Sequence, residues 1–224
     1  MQVIGCCGFA NSGKSTAAQY FVEHHQFTRL SFAHPVKDIA ALLFGWDRGR
    51  LEGATATDRA WREEEDPFWS RVLERPFSPR IALQFVGTDL VRQHVHPDMW
   101  ALSVVAKIRQ MGPQARVVID DVRFVNELAV LRSIGAAIVI IDRGFPSFEH
   151  QQLWLRSEQH AKTGSFFEGD VTLHRSEWDW LRDPAIFTTS RVVNTGSMPD
   201  FHRALDVWYT NSRLDSLLHE DVLV

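Results

Sequence analysis

Cysteine is almost missing from this chain of 224 residues: two occur, Cys6 and Cys7, side by side. Adjacent cysteines in one strand pattern cannot staple a disulfide framework, and their spacing suits no metal site. They read as small apolar packing in a reducing compartment. Basic excess is missing too. A formal net charge of −4 argues against a general nucleic-acid binder, which would more often be basic. No apolar run approaches the roughly 20 residues that span a bilayer, so no membrane partner is expected. The chain starts directly on a strand pattern, which predicts no signal peptide. No internal repeat is present, and no N-K-x-D element that would specify guanine.

What the chain does hold is concentrated at one end. Val3 to Cys7 is a short apolar run, as expected of a buried parallel strand. Gly8-Phe9-Ala10-Asn11-Ser12-Gly13-Lys14-Ser15-Thr16 follows and matches G-x-x-x-x-G-K-[ST], the phosphate-binding P-loop. Gly8 and Gly13 permit a tight turn whose N–H groups surround a phosphate. The helix that opens near Lys14 adds its positive dipole end. Lys14 supplies charge to the β- and γ-phosphates, and Ser15 a hydroxyl to Mg²⁺. The motif predicts nucleotide binding and leaves the phosphate acceptor open.

Apolar residues make up 45% of the chain, enough to fill a core. Helical stripes recur, with Val36, Ile39, Ala40, Leu43 and Phe44 spaced at i, i+3, i+4, i+7 and i+8. A helix is expected from Ser78-Pro79 to about His94, and another carries Trp100, Ala101, Val104, Val105 and Ile108. Around them come the strand patterns Phe27–Phe32, Val117–Ile119, Ala137–Ile141 and Val192-Val193. Strands alternating with helices, several apolar throughout, predict an α/β fold with a parallel sheet flanked by helices. The expected organisation is a single P-loop domain over 1–210, with a mobile insertion over about 46–78, a lid-like insertion over about 143–190, and a tail over 211–224. Closure by such insertions suits phosphate transfer, where water is the competing acceptor.

Ligands of open α/β sheets lie beyond the carboxyl ends of the strands. Asp120-Asp121-Val122-Arg123 ends the third strand, at the position that holds Mg²⁺ directly or through water. Side chains alternate along a strand, so one of Asp120 and Asp121 faces the site and the other is structural. Arg123 and Glu127 are four apart and can pair if helix begins there. Lys37 starts a helix, where a cation opposes the dipole and invites an anion; a plain solvated lysine fits the spacing equally.

At this point the chain resembles the deoxynucleoside monophosphate kinases of tailed bacteriophages, a branch of the P-loop kinases. The carriers, in order, are Ser12-Gly13-Lys14; Ala33-His34-Pro35-Val36-Lys37-Asp38; Leu83-Gln84-Phe85-Val86-Gly87-Thr88-Asp89-Leu90; and Trp100. They continue with Asp121-Val122-Arg123-Phe124-Val125-Asn126-Glu127, Gly135 to Ile140, His174-Arg175-Ser176-Glu177 and Asn194-Thr195-Gly196-Ser197. The resemblance implies transfer of the ATP γ-phosphate, with Mg²⁺, to a deoxynucleoside 5′-monophosphate in a cytoplasm, the host's if the chain is phage-encoded. It implies that Asn11, Ser12, Gly13, Lys14, Ser15 and Thr16 hold ATP, with Asn194, Thr195 and Gly196 at the adenine. Val36, Lys37, Arg80, Gly87, Thr88 and Trp100 fall to the acceptor nucleotide, Trp100 as a stacking face for its base. Asp121, Arg123 and Glu127 lie at the acceptor side or around the transferring phosphate, Asp121 with Ser15 as a metal ligand, and Arg175 is a lid arginine. Lys14, Arg123, Asp121 and Arg175 are the expected catalytic set. A homodimer through the helix from Trp100 to Ile108 is implied by analogy. Two departures, the longer stretch before His174 with Trp154, Phe166 and Phe167 and the shorter 46–78, border the expected acceptor base. Rival readings are a kinase for another small acceptor, such as dephospho-coenzyme A, or a non-catalytic nucleotide-dependent binding module.

Overall fold

The computed structural model describes residues 1–164, 167 and 173–212; Phe166 and the tail from residue 213 lie outside the described residues. In chain order the elements are β1 (Gln2–Cys7), α1 (Lys14–His25), β2 (Thr28–Leu30), α2 (Ala33–Phe44), α3 (Arg48–Glu52), α4 (Ala56–Glu63), α5 (Pro67–Val72), α6 (Pro79–Gln84), a π-helix (Phe85–Leu90), α7 (Val91–His94), α8 (Met99–Gln110), β3 (Arg116–Ile119), α9 (Val125–Ser133), β4 (Ala137–Asp142), α10 (Phe148–Thr163), β5 (Arg191–Val193) and α11 (Met198–Asn211). Two compact units are distinguished: Phe32–Ser103, and Met1–Ser31 together with the chain from Val104 onward.

The unit from Met1 holds a five-stranded parallel sheet in the order β2-β3-β1-β4-β5. β1 sits at its centre and is buried at every residue, which explains the apolar run from Val3 to Cys7. Alternation sorts the strand residues. Ile4, Cys6 and Val118 pack with Ala17, Ala18 and Phe21 of α1 and with Phe201 and Leu205 of α11. Gly5 points the other way, where a Cβ would press on Leu131 and Ile138. Burial pushes the Cys6 thiol far up, with Asp120 adding to it, and holds that of Cys7 at about 12. The expected strand over Phe27–Phe32 shortens to three residues, because α2 begins at Ala33.

The unit from Phe32 is helical. α2 ends at Gly45 in the left-handed conformation. The segment 46–78 folds as three short helices, each with an aspartate or threonine N-cap. Polar in composition, it has an aromatic centre of its own: Phe44 stacks on Trp46, and both lie against Phe77, which is buried. Asp66 anchors it by accepting from Trp46 Nε1 at 2.8 Å. The helix expected to run unbroken to His94 widens into a π-helix over Phe85–Leu90. Such widenings free carbonyls from the regular ladder and recur at functional sites.

The apolar stripe of α8 is consumed inside the fold: Trp100, Ala101, Val104, Val105 and Ile108 are all buried. That stripe is therefore spent on the chain's own core, while Leu102 on the same helix stays exposed. Among the described residues no helix is long and apolar enough to cross a membrane.

Candidate functional site

The loop after β1 has the backbone its glycines foretell. Gly8 and Gly13 have φ of 138° and 104°, and Asn11 one of 59°. A Cβ on Gly8 would collide with the Ile141 carbonyl, and one on Gly13 with the Asn194 amide. Only glycine fits at either place. Asn194 Nδ2 also donates to Ser12 O at 2.8 Å, so the turn after β5 braces the loop from outside. Lys14 opens α1, and its Nζ donates to the carbonyls of Gly8 at 2.9 Å and Phe9 at 2.7 Å. The hydroxyl of Ser12 is buried and has no hydrogen-bond partner among the described residues. A buried hydroxyl left unpaired costs about 1–3 kcal/mol, which a phosphate oxygen would relieve. The residues present thus fit a bound phosphate chain.

Two cations converge here. Burial lowers the pKa of Lys14, and Arg123 is the next contributor, by direct repulsion. Arg123 is exposed at the start of the segment that leads into α9. Its backbone is held firmly. Glu127, itself buried, accepts from the N–H groups of Arg123 at 2.8 Å and Phe124 at 3.0 Å. The spacing suggested a side-chain pair between Arg123 and Glu127; Glu127 instead caps the helix through the backbone.

The two carboxylates after β3 separate as alternation requires. Asp120 lies on the α1 face, is 5% exposed and pairs with Arg29 at 2.5 Å. Arg29 lines a groove of about 420 Å³ together with Ser15, Thr16, Gln19, Tyr20 and His202. Asp121 accepts from Ser31 Oγ at 2.6 Å. Among the described residues no group of three or more His, Cys, Asp or Glu side chains is placed to hold a metal.

The described part of 143–190 packs onto the P-loop. Phe9 meets Phe145, His150 and Trp180 edge-on, with centroids 5.2 to 5.9 Å apart. Arg175, the expected lid arginine, is 60% exposed and donates to Asp179 at 2.8 Å.

In the unit from Phe32, the expected acceptor residues gather around α2 and the π-helix. Trp100 is 4% exposed, and its Nε1 donates to Gly87 O at 2.7 Å. Its indole packs with Val36 and Val86, so it braces the π-helix and has no open face for a base. Gly87 carries only hydrogen toward Val36, where a Cβ would lie 3.4 Å away. Thr88 is exposed on the same turn. Lys37 donates to Glu52 at 2.7 Å, and Arg80 to Glu63 at 2.9 Å. Burial raises the Glu52 carboxyl, but Lys37 and Arg48 overrule it and hold it at about 2. Sequence reading missed Arg62. Its guanidinium lies over Gly53, its Nε is buried without a partner, and burial and the nearby Arg80 lower its pKa. No motif marks Arg62; only the folded arrangement shows a guanidinium whose buried Nε has no hydrogen-bond partner among the described residues.

A family model of deoxynucleotide monophosphate kinase matches residues 57–151. A protein of Acanthamoeba polyphaga mimivirus, provisionally named deoxynucleotide monophosphate kinase, is 32% identical over 64% of this chain and 75% of its own length. The deoxynucleoside-5′-monophosphate kinase of Escherichia phage T5 is 26% identical over 58% of this chain and 71% of its own. Among solved structures, dephospho-CoA kinase from Campylobacter jejuni aligns over 94% of this chain and 97% of its own, at 13% identity and a TM-score of 0.44, an overlap too loose to carry an argument. The P-loop, the sheet order and these sequence matches agree: the chain belongs to the deoxynucleotide monophosphate kinase family.

Proposed function

We propose that this chain transfers the γ-phosphate of ATP to a deoxynucleoside 5′-monophosphate, giving ADP and the diphosphate. Family membership supports the acceptor class. The observation that carries the chemistry is the convergence of Lys14 and Arg123: the Arg123 charge lowers the basicity of Lys14, a repulsion that an anion between them would relieve. An acceptor phosphate is already nucleophilic at neutral pH, so positioning and charge neutralisation suffice and no strong base is needed.

In this reading the P-loop amides, Ser12 and Lys14 hold the phosphate chain, and Thr16 and Asn194 flank it. Ser15, with Asp120 or Asp121, would hold Mg²⁺, which would supply neutralising charge to the phosphates. Arg123 and Arg175 steady charge during transfer. Lys37, Arg62 and Arg80 bind the acceptor phosphate, the first and last by exchanging their carboxylate partners for it. Val36, Gly87 and Thr88 shape the acceptor side, and Trp100 keeps that turn in place.

The test is ADP release with ATP and Mg²⁺ against dAMP, dGMP, dCMP, dTMP and their ribo forms, with diphosphates identified directly. Rapid turnover with one or more deoxy forms is expected. No acceptor-dependent ADP from any of them would overturn the reading and move the search to dephospho-coenzyme A or to a binding module.

A further inference from the structure

Among the described residues of the second insertion, Asp179 is the one carboxylate with no solvent exposure at all. It opens a short 3-10 helix, Asp179–Arg182. Burying a charge is costly unless every acceptor site is filled, and here the donors are specific. Oδ2 accepts from the Val125 N–H at 3.0 Å. Oδ1 accepts from Arg175 Nε at 2.8 Å and, more weakly, from Arg182 Nη1 at 3.4 Å. The next residue continues the seam: Trp180 N–H donates to Arg123 O at 3.1 Å. The Trp180 ring meets Phe9 of the P-loop at 5.3 Å. Arg123 is therefore fixed at both ends of its own peptide units, its N–H by Glu127 and its carbonyl by Trp180, with Asp179 clamping the chain two residues on.

We infer that Asp179 is a positioning residue of the transfer site: a buried carboxylate that aims the backbone carrying Arg123 and holds the guanidinium of Arg175. The inference rests on the phosphate-transfer reading above. An asparagine could not replace it. The amide has one acceptor oxygen, and its NH₂ would face either the Val125 N–H or the Arg175 Nε, donor against donor. A charged acceptor also makes the stronger bonds. The insertion thereby sets the geometry of a residue that lies outside it.

The experiment compares Asp179→Asn and Val125→Pro, each alone and in an Arg123→Ala background. Proline suits the first position of a helix and removes the N–H that Asp179 accepts, so the second variant tests the same bond should the first fail to fold. Two readouts are taken: turnover with the best deoxynucleotide acceptor, and the affinity for inorganic tripolyphosphate. Each single variant is expected to lower kcat about 10-fold and weaken tripolyphosphate about threefold; once Arg123 is gone the Val125→Pro effect should vanish and the Asp179→Asn effect should shrink to the part carried by Arg175. Arg182→Gln, which cuts only the long bond, should leave both readouts near wild type. Losses that multiply in full with Arg123→Ala, or singles indistinguishable from wild type, would overturn the inference. Wild-type protein that makes no diphosphate would defeat the kinase reading alone, since tripolyphosphate still reports on Asp179.

Discussion

Arg123 lowers the basicity of Lys14, second only to burial of that ammonium. The two residues are far apart in the chain, and among the described residues neither is within ion-pair distance of a carboxylate, although Glu177 offsets part of the repulsion at Lys14. Lys14→Ala should cut turnover by about 10³-fold or more and abolish the rise in Tm that ATP gives the wild type. Arg123→Ala should cut turnover comparably and leave most of that rise intact. An Arg123→Ala protein with wild-type kinetics for every acceptor would refute its part.

Arg29 and Asp120 form a pair that is open on one side only, since the arginine side chain is 41% exposed and the aspartate side chain 4%. Arg29→Met leaves a buried carboxylate with no cation. A loss of about 2 kcal/mol is expected, less than for a fully buried pair because water still reaches one edge. Asp120→Asn with Arg29→Met should recover part of it. Urea melts decide the matter; a single mutant as stable as wild type would show that the pair carries nothing.

Trp100→Phe keeps most of the indole's volume and removes the N–H held by Gly87 O. The cost should be about 1 kcal/mol. Because the bond steadies the π-helix, KM for the acceptor should rise more than KM for ATP. A variant whose base preference changes while its stability does not would instead favour direct stacking on the base.

Glu52 gives a pH signature. Its folded carboxyl titrates at about 2 against an ordinary 4.5, so its stabilising contribution is present above pH 4.5 and disappears as pH falls toward 2. The difference in Tm between wild type and Glu52→Gln should be level near neutrality and close on acidification through that window. The residue is 41% exposed, so the level difference will be small. A gap that widens in acid would contradict the assignment.

The parts of the site that local sequence could show were those with local causes. Gly8, Gly13 and Lys14 act within one turn of chain, and β1 is apolar because both its faces are covered. Alternation said that Asp120 and Asp121 must part, but only Arg29 and Ser31, on another strand, decide which goes where. Trp100 carried no mark of the Gly87 carbonyl it serves, and the stripe on α8 looks the same whether it is buried by its own chain or by a second one. Asp179 reaches its partner Val125 across 54 positions, and Arg62 stands out only by what is not beside it. Residues whose meaning comes from distant neighbours are silent until the chain is folded.

Cys6 and Cys7 sit on the central strand with their thiols fully covered and strongly protonated. Alkylating reagents attack thiolates, so both sulfurs should be inert for as long as β1 stays in the sheet. The native chain can therefore take a single engineered surface cysteine, and a dye on it, without first losing its own two. Their labelling, once it begins, is a clock for the opening of the sheet's centre, read in the folded protein under the conditions in which it works.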